Sequence, residues 1–152
     1  MPRVVSYILI GLSIANLTLW WFIWSATSQE PDLGIYFLSV GQGDAQLIRG
    51  SRSNILIDAG PGSRVVNALD NVLPVYDRTI DIAILTHPNL DHLSGMLPVL
   101  ERYGVRLFVM TGAEHTIAEY QKLKEILRVL NVPVLYAIRG QRISFGENEI
   151  AI

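Results

Sequence analysis

Cysteine is absent from the chain, which excludes disulfide frameworks and thiolate metal sites and leaves the redox compartment open. A basic excess is missing too: 12 lysines and arginines stand against 14 acids, for a net charge of −2. The chain therefore has no electrostatic footprint that grips nucleic acid unaided, and any such role needs a local patch or a partner. There is no internal repeat and no low-complexity stretch, which excludes solenoid and array architectures. Charge is sparse, at 17% of residues, while half the chain is hydrophobic. That balance is high for a soluble protein, and the excess is concentrated at the N-terminus. The 152 residues allow one modest domain plus a tail.

Val4 to Trp24 is almost uninterrupted apolar sequence, broken by Ser6, Ser13, Asn16, Thr18 and two small residues. A helix of roughly 21 residues is about 31 Å long, which matches the hydrocarbon core of a bilayer. Trp20, Trp21 and Trp24 crowd one end and Tyr7 lies near the other, as in aromatic belts. A cleaved signal peptide is the competing reading, with Ala26-Thr27-Ser28 as its small-residue site, although its apolar region would be shorter, about 7–15 residues. A buried core helix should show a polar face, and this segment has none. Length favours an anchor in the lipid bilayer. Arg3 precedes the span and Glu30 and Asp32 follow it. The positive-inside rule then puts the N-terminus in the cytoplasm and the domain outside. The organisation read from the sequence is an anchor over 1–28, a linker over 29–33 and a domain over 34–152.

The domain opens with a β-rich stretch, Ile35 to Val40, and a Gly41-Gln42-Gly43-Asp44 turn. Strands over Ala45–Ile48 and Asn54–Ile57 follow, joined at Gly50-Ser51-Arg52-Ser53, and the three make an antiparallel meander. Asp58-Ala59-Gly60-Pro61-Gly62 is an acid followed by a glycine-rich loop, and Arg64 to Val72 reads as a short amphipathic helix closed by Pro74. Arg106–Met110 and Val132–Ala137 read as strands. Between them Ile117, Tyr120, Leu123, Ile126, Leu127 and Leu130 share one face of a helix over Thr116–Leu130. Thr116 with Glu119 fits a capping box. Two short β segments, Arg142–Phe145 and Asn148–Ile152, complete the chain. A meander followed by alternating strand and helix makes a layered α/β protein. A last strand without a closing turn reads as the first part of a larger domain.

One stretch is far denser in chemistry than the rest. The apolar run Ile82–Leu85 ends at Thr86, and His87, Asp91 and His92 follow within six positions. Leu93, Met96, Leu97 and Leu100 then restart helical periodicity. Strand, tight loop and helix gather these side chains at a strand's C-terminal end, where ligands of open α/β sheets bind. Neutral imidazoles are good zinc ligands. Asp91 could ligate a metal and deprotonate its water, which makes it the candidate catalytic residue, although an acid in a helix's first turn is also favoured by the macrodipole.

His87-x-Asn89-x-Asp91-His92 after a buried strand resembles the HxHxDH signature of the metallo-β-lactamase fold. Phe37-Leu38-Ser39-Val40-Gly41-Gln42-Gly43-Asp44-Ala45 and Leu56-Ile57-Asp58-Ala59-Gly60-Pro61 resemble the corresponding motifs in the C-terminal domain of ComEC-type competence proteins, the DNA-uptake channel family, and in its stand-alone membrane-anchored relatives. The motifs occur in the same order and spacing, which is more specific than any one alone. The resemblance implies an αββα sandwich preceded by one transmembrane helix. It implies one or two zinc or manganese ions held by His87, Asp91 and His92, and hydrolysis of DNA or another phosphodiester during uptake. DNA and a multi-pass uptake channel are the implied partners. The family's further ligands come from a second half of the domain.

Asn89 departs from the pattern, which has a histidine there. As an amide it suits manganese or magnesium better than zinc, and as an N-cap it would start the following helix. Asp58 is expected to hold His87 or its loop by a hydrogen bond rather than to bind the ion, the alternative being a simple turn. Gln42 and Asp44 are turn residues by composition, and the resemblance places them in a loop facing the site. His115 reads as a solvent-facing loop residue. Arg49, Arg52 and Arg64 are either scattered surface charges or a small basic rim for a phosphate. The functional alternatives are a non-catalytic binding or assembly module of an uptake apparatus and an inactive truncated product.

Overall fold

A computed structural model describes residues 2–27, 33–50, 53–145 and 148–151. Most of the expected linker, Arg52 of the basic rim, and Ile152 lie outside the described residues. The chain divides into two compact units, Met1–Pro31 and Asp32–Ile152.

The first unit is one helix, α1 (Pro2–Thr27). Arg3–Ser25 is long and apolar enough to cross a membrane, a test that a signal sequence near an N-terminus also passes. Two of its hydroxyls are satisfied within the helix: Thr18 Oγ1 donates to the Ala15 carbonyl and Ser25 Oγ to that of Phe22, both at 2.9 Å. Such back-bonding lets a polar side chain sit in an apolar medium without an unmet donor.

The second unit is built on a six-stranded sheet whose strands lie in chain order: β1 (Leu33–Phe37), β2 (Gln46–Gly50), β3 (Ser53–Ile57), β4 (Thr79–Leu85), β5 (Gly104–Met110) and β6 (Val134–Tyr136). β1, β2 and β3 pair antiparallel, as expected of the meander, and β3 to β6 pair parallel. Parallel neighbours need a crossover, and helices supply it. These are α2 (Arg64–Val72) between β3 and β4, α3 (Leu90–Leu93) and α4 (Met96–Arg102) between β4 and β5, and α5 (Ala118–Val129) between β5 and β6. A hairpin of β7 (Arg142–Phe145) and β8 (Asn148–Ala151) forms a second, two-stranded sheet.

The pairing aligns Leu47, Leu56, Ala83 and Phe108 across four strands, all fully buried. Alternation along each strand puts this row on one face, where it packs with Leu69, Met96, Val99, Leu123 and Leu127 of the helices. The next row, Ile35, Ile48, Ile55, Ile82 and Leu107, belongs to the opposite face. There Ile35 is 57% exposed and Phe37 79% exposed.

Three local expectations are corrected. The helix expected after His92 starts earlier, at Leu90, and is two helices, because the Gly95 N–H is drawn out of the turn to the Gly60 carbonyl at 2.9 Å. The capping box at Thr116 is not formed: α5 starts at Ala118, with Ile117 at the N-cap position and no side-chain cap. The half-buried His115 fixes that entry instead, its Nδ1 accepting from the Ile117 N–H and its carbonyl from Gln121. β1 ends at Phe37, and Leu38–Val40 continues outside the ladder.

At the N-terminal ends of β4 and β5, Asp70 of α2 accepts hydrogen bonds from Arg78, Arg102 and the Tyr103 hydroxyl. The Tyr103 hydroxyl, then Arg78, holds the Asp70 carboxyl below the ordinary carboxylate value. Burial, then the hydrogen bond to Asp70, pushes Tyr103 up to about 12. The Asp70 contribution to stability is therefore complete above its unfolded value of 3.8 and is lost as pH falls through the depressed folded value. The Tyr103 contribution is complete below 10.0 and is lost as pH rises toward about 12. Thermal unfolding of the full chain against pH should show both flanks, and Asp70→Asn should flatten the acid one. An unchanged acid flank in that variant would remove Asp70 from the account.

Candidate metal centre

The centre forms where β3 and β4 end side by side. The Asp58 N–H extends the parallel ladder by donating to the Ile84 carbonyl at 2.8 Å, and the Ala59 N–H donates to that of His92 at 2.9 Å. Asp58 itself turns the chain at φ 53°, a conformation uncommon for a residue with a side chain but open to aspartate. That turn points its carboxylate, only 4% exposed, along the end of β4. There Oδ1 accepts from the Thr86 N–H at 2.9 Å and Oδ2 from the Thr86 hydroxyl at 2.6 Å. Oδ2 also lies 2.9 Å from Nδ1 of the buried His92.

These partners assign the protons. An ionised carboxylate only accepts, so His92 carries a hydrogen on Nδ1, and in the neutral ring Nε2 is the nitrogen left to ligate. The Thr86 hydroxyl spends its one proton on Asp58, so its lone pair faces His87 Nδ1, 2.9 Å away, and His87 is also an Nδ1–H tautomer. One carboxylate thus sets both imidazoles, directly for His92 and through Thr86 for His87. The two rings lie with centroids 3.8 Å apart at 50° to each other.

Among the described residues, Asp58, His87 and His92 are the one group of His and acidic side chains whose ligand atoms all lie within 4.8 Å of one another. Asp58 is the most committed of the three, because its oxygens already take three hydrogen bonds. Asp91 stands just outside that group, its Oδ2 3.6 Å from His92 Nε2 and its side chain 54% exposed. With Asp58 so engaged, His87 and His92 would each offer an ion Nε2, and the Asp91 carboxylate lies beside that of His92. Two imidazoles and a carboxylate fit a zinc-like divalent ion and leave a coordination position open for substrate.

Asn89 occupies the N-cap position of α3, with extended backbone at φ −81° and ψ 150°, but its side chain makes no cap hydrogen bond. Its carbonyl accepts from the His92 and Leu93 N–H groups instead. Gln42 and Asp44 are exposed in the loop over 41–44, which touches the centre through Gly43. A Cβ at Gly43 would collide with the Asp91 carbonyl oxygen and lie 2.7 Å from Pro61 Cδ. Thr86 went unrecognised in the sequence. The available signal was a hydroxyl residue placed between a buried strand and the first histidine.

The metallo-beta-lactamase superfamily sequence model matches residues 38–143, which span every residue of this centre. The chain belongs to the metallo-beta-lactamase superfamily. Comparison with curated proteins gives no match. Among solved structures, the fold is similar to a metallo-beta-lactamase with a HARLDQ motif from Cronobacter sakazakii, at 19% identity and a TM-score of 0.57, covering 78% of this chain and 48% of that one. It is also similar to MEM-A1, a subclass B3 metallo-beta-lactamase from a soil metagenome library, at 15% identity and a TM-score of 0.57, covering 80% and 50%. The metallo-beta-lactamase fold protein YhfI from Bacillus subtilis matches at 16% identity and a TM-score of 0.53, covering 76% and 49%. The likeness is one of fold. The chain spans about half the length of the superfamily structures it matches.

Proposed function

We propose that this chain is a membrane-anchored, metal-dependent hydrolase that acts on DNA or another phosphodiester, in the manner of the ComEC-type uptake proteins it resembles. The observation that carries the reading is the grouping of Asp58, His87 and His92, with His92 Nε2 freed by Asp58 and lying 3.6 Å from the Asp91 carboxylate. These side chains would hold a divalent ion, zinc or manganese, which would supply Lewis acidity and a bound water of lowered pKa. Asp58 and Thr86 keep both imidazoles in the ligating tautomer. Asp91, at the open side, accepts a hydrogen bond from the attacking water and orients it. The anchor is α1, with its N-terminus cytoplasmic and the domain on the far side, beside a multi-pass channel.

Asn89 favours a second reading, a binding or assembly module of the same apparatus, since an exposed amide stands where the signature has a histidine. The two readings separate in one assay. The full chain in detergent is incubated with bis(p-nitrophenyl) phosphate and with single-stranded DNA, with zinc or with manganese. The hydrolase reading expects metal-dependent cleavage that Asp91→Ala and His92→Ala abolish. Intact substrates despite bound metal would leave the module.

A further inference from the structure

Three loops interlock around the centre, and one of them carries a cation to its edge. Gly43 packs against Asp91 and Pro61 so closely that a side chain there would collide with both. Two residues earlier, a Cβ at Gly41 would lie 2.5 Å from Nη1 of Arg64. Successive Cα atoms are about 3.8 Å apart, so Gly41 and Gly43 are separated by at most ~7.6 Å. The Arg64 guanidinium therefore lies one short loop away from Asp91, at the first residue of α2.

Its pairing state distinguishes it from most arginines of the domain. Arg78, Arg102, Arg106, Arg128 and Arg142 each meet a carboxylate. Arg64 is exposed and, among the described residues, makes no ion pair or hydrogen bond. An unpaired guanidinium keeps its planar fork of donors free, and that fork matches the two non-bridging oxygens of a phosphate. Asp44, Asp58 and Asp91 make the surroundings acidic, so an anionic substrate needs a cation at this edge to approach.

We propose that Arg64 is the substrate-binding residue of this centre that takes a phosphate flanking the reacting one, which selects a polynucleotide strand over an isolated phosphodiester. The proposal rests on the hydrolase reading for its kinetic test but not for its binding test. For binding, the full chain in detergent is titrated with fluorescent oligothymidylate, without metal, across a range of salt. Arg64→Ala should weaken binding about tenfold and lower the slope of log affinity against log salt by about 1. Arg64→Lys should recover part of both, and Arg106→Ala, far from the centre, should change neither. For catalysis, Arg64→Ala should raise KM for the oligonucleotide by a larger factor than it raises KM for bis(p-nitrophenyl) phosphate. Equal binding and equal salt slopes in wild type and a folded Arg64→Ala would overturn the proposal. So would equal, Arg64-dependent binding of poly-glutamate, because the site would then read charge rather than phosphate. Loss of all cleavage with the binding difference intact would reject the hydrolase reading alone.

Discussion

Asp58→Ala is expected to weaken zinc or manganese binding by about 100-fold, at the upper end of what removing a ligand's hydrogen-bond partner does. It should also destabilise the domain by about 3 kcal/mol. Both effects come from the same carboxylate. Its removal takes the partner from the Thr86 N–H and hydroxyl and from the Nδ1–H of the buried His92, and frees both imidazoles to change tautomer. The backbone adds to the cost, since alanine tolerates the φ of 53° less well than aspartate does. Two further variants separate site from fold. Asp58→Asn tolerates the same backbone and should keep most of the stability while losing metal affinity. Thr86→Val cuts only the branch to His87 and should cost about tenfold in affinity. Calorimetric metal titration and urea unfolding of the full chain measure the two effects. Wild-type affinity in a folded Asp58→Ala would show that the imidazoles are set by something else.

Gly95→Ala should destabilise the domain by about 3 kcal/mol, at the upper end of ordinary overpacking. The new Cβ would overlap the Ala59 carbonyl oxygen and lie 2.7 Å from its carbon and 2.9 Å from its Cβ. That neighbour is backbone, held by hydrogen bonds of the Ala59 N–H to His92 and of the Gly95 N–H to Gly60, so it cannot yield cheaply. Because Ala59 follows Asp58, metal affinity should fall together with stability. Gly112→Ala supplies the contrast: nothing lies within 4 Å of its Cβ, and a change within about 0.5 kcal/mol is expected. Equal unfolding midpoints for the two variants would mean that the loop gives way more easily than its hydrogen bonds indicate.

Much of this was legible in the sequence because it depends on spacing. The meander showed in Ile35–Ile57 as short β-branched runs between turns, and α5 showed as six apolar residues at helical intervals. The grouping of His87 and His92 followed from a strand that had to end at Thr86. Side-chain partnerships were less legible. The α5 cap failed as a prediction because the Ile117 N–H donates its hydrogen bond to His115, two residues back, where the local pattern favoured Thr116. The break at Gly95 depends on a carbonyl 35 residues earlier in the chain, and no local window contains it. The part played by Thr86 is a matter of hydroxyl direction, which exists only once β3 and β4 are neighbours.

The knot around Asp70 lies at the opposite ends of the strands from His87 and His92. Substitutions that loosen Asp70, Arg78 or Tyr103 can lower the melting temperature without moving a metal-ligating atom, and the loops over 41–44, 60–63 and 86–95 can be rebuilt without touching the knot. The independence runs one way: the scaffold can drift at the knot without disturbing the chemistry, whereas changes at Asp58 or Gly95 carry a cost in stability.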